Sequence, residues 1–278
     1  MLDVGSGLPL ILIPGIQGRW EWMRPTVDAL AARCRVLTTS LAGDPGADEI
    51  DPARGFESLV DQIDRLRARA GLERVALCGV SYGGYVALQY AATHPARVTA
   101  LVIASSPGPA WQLSARHRRY VRWPHLMAPA FAGGAPARLG PEIAAAHDGW
   151  WPRLHFIATH LMRVAAAMPS PARMGERVRM VQGFDFGAAC RAVRAPTLVL
   201  TGEPHLDRVV PVRMTLEYVR AIDGARAATL ARTGHIGCVT RPQEFAKIVT
   251  EFIAQCTLQD CTMKDGRSSN VKCEMCEM

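Results

Sequence analysis

Short apolar runs punctuate the chain on both sides of an irregular middle. They are "LPLILI" (8–13), "CRVLTT" (34–39), "RVALCGV" (74–80), "VTALVIAS" (98–105), "PTLVLTG" (196–202) and "ARAATLA" (225–231). Unbroken apolarity over about 4–8 residues, rich in Val, Leu and Ile, marks strands buried on both faces of a parallel sheet. Between these runs the period changes to that of helices, at 23–33, 55–70, 82–93, 211–222 and 242–256. In 55–70, Phe56, Leu59, Val60, Ile63 and Leu66 share one stripe, with acids and arginines opposite. This alternation predicts a doubly wound α/β fold with a mostly parallel sheet.

The rhythm fails over residues 107–190, where "PGP", "GGAP" and "PSPAR" interrupt helix-like pieces near 114–122, 141–148 and 152–167. An insertion after a strand end falls where open α/β sheets place their ligand crevice, so this segment is expected to form a helical cap. The core is then expected to comprise 1–106 and 191–256. Residues 257–278 are polar with little apolar periodicity and read as a disordered, cysteine-containing tail.

Composition narrows the partners. The 278 residues are 49% hydrophobic and 21% charged, enough for a sizeable core. No apolar run approaches the roughly 18–20 residues of a membrane span. The opening "MLDVGSGLPLILIPG" lacks the basic stretch and cleavage site of a secretory signal, so a cytoplasmic location with no membrane partner is expected. The net charge of +7 is concentrated in 107–190, where ten arginines face four acids. That balance prompts a nucleic-acid reading, but no Lys/Arg run or aromatic-interleaved basic motif accompanies it, and no nucleic-acid partner is expected. A solvated arginine-rich surface, or a basic lid over an anionic small molecule, fits better.

Of the eight cysteines, Cys34, Cys78, Cys190 and Cys238 sit beside apolar runs, as buried free thiols do. Cys256, Cys261, Cys273 and Cys276 crowd the C-terminus, with a single C-x2-C pair at Cys273 and Cys276. A zinc ribbon needs two such knuckles, so no metal site is expected.

The stretch "RVALCGVSYGGYVALQYAATHP" (74–95) carries the chemistry. A strand runs into G-x-S-x-G and then into a helix, so Gly79 and Gly83 allow a sharp turn that lifts the Ser81 hydroxyl above the sheet edge. The Tyr82 N–H then opens the helix, facing the same point. A serine hydroxyl needs a base, and the base an orienting acid. Among eight histidines, His235 in "TGHIGCVTRP" follows the last strand and precedes the final helix, which places it in a loop above the sheet. His205 is its rival. "PTLVLTGEPHLDRVVP" offers Glu203 and Asp207 as acids. Asp207 lies well into the loop and is preferred, while Glu203 is expected to support the loop.

"ILIPGIQG", "GVSYGG", "LVLTGEPHLDRVVP" and "GHIGCVTRP", in that order, resemble the α/β-hydrolase superfamily over roughly residues 5–255. The resemblance implies a triad of Ser81, His235 and Asp207 with neither metal nor organic cofactor. It also implies an oxyanion hole from the N–H groups of Tyr82 and Ile16. Two departures stand out. Pro14-Gly15 occupies the place of the usual His-Gly, so the bracing of the oxyanion loop must differ. The loop also comes so early that the sheet is expected to lack an N-terminal edge strand.

The implied reaction is hydrolysis of a small carboxylic ester or lactone through an acyl-enzyme. The same triad also serves C–C bond hydrolysis, acyl transfer and perhydrolysis, and a non-catalytic ligand-binding homologue is the remaining reading. Serine as nucleophile argues against dehalogenase or epoxide hydrolase chemistry. In the cap, Arg118, Arg119 and Arg122 are candidates to pair with a substrate carboxylate, and Trp123 and Trp151 to line an acyl pocket, although helix-spaced aromatics equally read as cap packing.

Overall fold

The structure, a computed structural model, describes residues 1–265. Seven strands form one sheet: β1 (Leu2–Val4), β2 (Pro9–Ile13), β3 (Arg35–Thr38), β4 (Val75–Val80), β5 (Val98–Ala104), β6 (Thr197–Thr201) and β7 (Arg226–Thr229). Their spatial order is β1-β3-β2-β4-β5-β6-β7, and only β1 runs antiparallel to its neighbour. Six of the strands are those the apolar runs predict. β1 was not foreseen, because three residues are too few to show a period. The N-terminal edge is thus this one short strand, paired with β3 from Leu2↔Thr38 to Val4↔Val36.

Alternation along each strand sends side chains to opposite faces and so builds two cores. Ile11, Ile13 and Leu37 pack with the helices Glu57–Arg69 and Tyr82–Thr93. Leu10, Leu12 and Val36 pack on the other face with the helices Arg24–Ala31 and Pro242–Asp265. The helix Tyr82–Thr93 is buried along most of its length, which explains its lack of a polar face. The last helix reaches Asp265, past the expected stop at 256, so the first part of the expected tail is helical. Cys273 and Cys276 lie outside the described residues. Cys34, Cys78, Cys190, Cys238 and Cys256 are buried free thiols.

Asp64 joins the two helices behind the Ser81 turn. It accepts hydrogen bonds from Tyr90 (2.8 Å), Arg67 (3.0 Å) and Arg97 (2.6 Å). Burial pushes its carboxyl up, but these three donors outweigh it and hold the group at about 2, against an ordinary 3.8. Because the folded value is depressed, the unfolded chain binds more protons across that interval, and the stabilisation is lost as pH falls from about 4 through 2. Asp64→Asn is expected to cost on the order of 1–2 kcal/mol at neutral pH. In denaturant titrations the gap to the unaltered protein should close below pH 4, and a gap independent of pH would contradict the assignment.

Between β5 and β6 lie the helices Ala115–Arg122, Pro124–Gly133, Ala135–Ala146, Trp150–Ala166 and Pro171–Met180. The sequence pattern missed Pro124–Gly133 and Pro171–Met180 because their prolines read as breaks. Each opens with a proline at the first helical position, where its missing N–H has no intrahelical partner to lose, and Pro124–Gly133 carries a second, Pro129, inside the helix. The next helix, Phe186–Ala192, packs Phe186, Ala189 and Cys190 into the first core. It therefore belongs structurally with the sheet, and the expected boundary at 190 falls inside it.

Candidate active site

The chain order reverses at β2: β3 lies on one side of it and β4 on the other. The loops leaving β2 and β4 therefore diverge above the sheet and open a crevice. Ser81 follows β4 directly and adopts φ 54° and ψ −120°, a left-handed conformation rare for a residue with a side chain. The neighbouring glycines make that turn possible. A Cβ on Gly79 would run into the Gly83 backbone, and one on Gly83 would strike the carbonyl oxygens of Ile13 and Pro14. The strain thus has a sequence basis and a product, a half-buried hydroxyl at the head of a helix.

His235 reaches the hydroxyl from the loop after β7. Its Nε2 lies 3.1 Å from Ser81 Oγ, and its Nδ1 lies 3.4 Å from Asp207 Oδ2. The other Asp207 oxygen, Oδ1, accepts the N–H groups of Val209 (3.0 Å) and Val210 (2.8 Å). The acid is buried, and its orientation is set by main chain. Since a carboxylate only accepts, the Nδ1–H donates to Asp207 and Nε2 is left to accept the Ser81 proton. Glu203 does what a loop support does: its Oε1 accepts the Arg232 N–H at 2.7 Å. The rival His205 is exposed, 3.5 Å from Glu203, and forms no hydrogen bond with Ser81.

The loop after β2 closes over the serine. Gly18 N–H donates to Gly15 C=O at 2.9 Å, and a Cβ built on Gly15 would sit 3.4 Å from that of Ser81. Ile16 follows Gly15 in this turn, and Tyr82 N–H is the first of its helix, with no intrahelical acceptor. The predicted cap ligands are placed elsewhere. Arg118, Arg119, Arg122, Trp123 and Trp151 are all exposed, and none contacts Ser81, His235 or Asp207. Arg118 donates to the Leu113 carbonyl, Arg122 lies over Trp123, and Trp151 stacks on Trp150.

These observations fix the architecture, and the comparisons with known proteins agree with it. A family model described as the alpha/beta hydrolase fold matches residues 9–242. The chain belongs to the α/β-hydrolase fold family. A poly(3-hydroxyalkanoate) depolymerase from Ectopseudomonas oleovorans is 26% identical, over 89% of this chain and 84% of its own. A pimeloyl-[acyl-carrier protein] methyl ester esterase from Stenotrophomonas maltophilia is 28% identical, over 91% and 96%. An esterase from Exiguobacterium antarcticum superposes with a TM-score of 0.74 at 18% identity, over 91% and 94% of the two chains.

Three charged residues near this α/β-hydrolase's site escaped the sequence reading. Asp44 and Arg177 form a buried ion pair beside the Gly15–Gly18 turn. Glu142, on the helix Ala135–Ala146, is fully buried against the His235 loop. A single acid in "LGPEIAAAH" and one arginine among ten carry no local mark of burial. The one available signal was the missing His before Gly15, which called for another brace. Among the described residues no helix is long and apolar enough to cross a membrane.

Proposed function

We propose that this α/β-hydrolase is a serine hydrolase that cleaves a small carboxylic ester or lactone through an acyl-enzyme on Ser81. The observation that carries the reading is His235 bridging Ser81 Oγ at 3.1 Å and Asp207 at 3.4 Å. Ser81 Oγ attacks the carbonyl carbon as its proton passes to His235 Nε2, and Asp207 stabilises the imidazolium that forms. The N–H groups of Ile16 and Tyr82 receive the oxyanion, each such donor contributing about 2.7–4 kcal/mol to the transition state. His235 then returns the proton to the leaving alkoxide. In the second half a water, deprotonated by the same Nε2, attacks the acyl carbon and frees Ser81.

The naming of one relative as a methyl ester esterase and of one structural neighbour as an esterase supports ester chemistry. The charge around the site favours a neutral acyl group over a dianionic one. The surface arginines of the cap do not reach the serine, and the buried Arg177 is already neutralised by Asp44. The test is a fluorophosphonate probe followed by peptide mass mapping, together with a p-nitrophenyl ester series of increasing acyl length. The expected result is one adduct, on Ser81, with turnover of the short esters. An unlabelled protein, or an adduct on another serine, would overturn the proposal.

A further inference from the structure

Among the described residues, two charged side chains have no exposure at all, Glu142 and Arg177, and both come from the insertion between β5 and β6. Each grips a different loop of the site. Arg177 Nη1 donates to the Ile16 carbonyl at 3.0 Å, and Nη2 reaches the Ala42 carbonyl at 3.3 Å and the Asp44 carboxylate. Its own carbonyl accepts the Tyr82 hydroxyl at 3.1 Å. One residue thus touches both oxyanion-donor residues, Ile16 through its carbonyl and Tyr82 through its ring. Gly18 is obligatory at this contact, since a Cβ there would strike Asp44 and Arg177.

Glu142 does the same for the base. Its carboxylate accepts the Ile236 N–H at 3.1 Å and the Thr240 hydroxyl at 3.4 Å, and the Gly234 N–H also points to it. The acceptor therefore holds the residues on both sides of His235. The same loop is fastened a second time by Arg232, which donates to the Ala145 carbonyl (2.7 Å) and Asp148 (2.5 Å). Burial pushes the Glu142 carboxyl up, opposed by those N–H donors and by His235.

We propose that Arg177 and Glu142 are positioning residues through which the cap sets the oxyanion loop and the histidine loop. The inference rests on the serine-hydrolase reading. Stability alone does not account for such groups, because a buried ion pair gains little over apolar residues of the same volume. What a bifurcating guanidinium and a two-oxygen acceptor add is fixed geometry for three partners each. For Arg177 this supplies the brace that Pro14 cannot. The cap is on this account part of the catalytic frame as well as a cover.

The experiment compares Arg177→Lys and Glu142→Gln with the unaltered full chain, using p-nitrophenyl butyrate turnover and amide hydrogen exchange by mass spectrometry. Lysine keeps a countercharge for Asp44, and glutamine keeps the volume, so both variants are built to fold; thermal unfolding checks that they do. If Arg177→Lys does not fold, the charge-balanced pair Arg177→Met with Asp44→Asn takes its place. The expected kcat falls on the order of 10–100-fold, the typical consequence of misplaced reacting groups, while KM changes by less than about threefold. Exchange should rise at residues 15–18 in the Arg177 variant and at 234–236 in the Glu142 variant. Unchanged kcat and exchange in folded variants would overturn the proposal, as would a loss confined to KM. An unaltered protein inactive on the ester, with these exchange changes present in the two variants, would sink the hydrolase reading and leave the bracing intact.

Discussion

Ser81→Ala is expected to lower kcat for a turned-over ester by about 10⁴–10⁶, the range that removal of the nucleophile produces in serine hydrolases built on a comparable triad. KM should change little, because the missing oxygen makes its bond only in the transition state. The fold should be untouched. Position 81 has φ 54°, and alanine bears the same Cβ strain there as serine, so neither relief nor further cost arises at the backbone. The measurement is steady-state turnover with active-site titration, to exclude contaminating esterase. A variant retaining a tenth of the original kcat would remove Ser81 from the chemistry.

The second large effect belongs to Asp207→Asn. Because Oδ1 is held by the N–H groups of Val209 and Val210, an asparagine keeps its carbonyl oxygen on those donors. Its amide nitrogen then faces His235 Nδ1 and donates to it. The imidazole is forced into the tautomer with its proton on Nε2, which meets the Ser81 hydroxyl donor to donor. A fall of about 10⁴ in kcat is expected, as in triads where this exchange has the same consequence. Glu203→Gln, whose side chain meets the Arg232 N–H and the exposed His205 and neither Ser81 nor His235, should fall by no more than about tenfold. The reverse ranking of the two variants would make Glu203 the acid.

The meeting of Ser81, Asp207 and His235 was legible in the sequence because Ser81 directly follows a strand and the other two lie in loops that leave strand ends, and strand ends are visible as apolar runs stopping at Gly or Pro. The sheet and its main helices were legible for the same reason. What failed was read from residue type without a partner. Arg118, Arg119 and Arg122 looked like anion ligands because they cluster, yet clustering on one helix is what a solvated face also produces. Asp44, Glu142 and Arg177 showed no cluster, and their burial is created by segments more than 90 residues apart in the chain meeting at the crevice. The two missed cap helices failed for a third reason, the double meaning of proline as breaker and as first helical residue.

The grip of Arg177 and Glu142 also bears on how this scaffold can be re-engineered or diversified. Grafting a cap from another hydrolase onto this core would remove the ion-pair partner of Asp44 and the acceptor of the Ile236 amide. The core is therefore not an autonomous minimal enzyme awaiting a choice of lid. Changes of specificity are confined to the cap's outer residues unless Asp44, Gly18 and the His235 loop are replaced together with it.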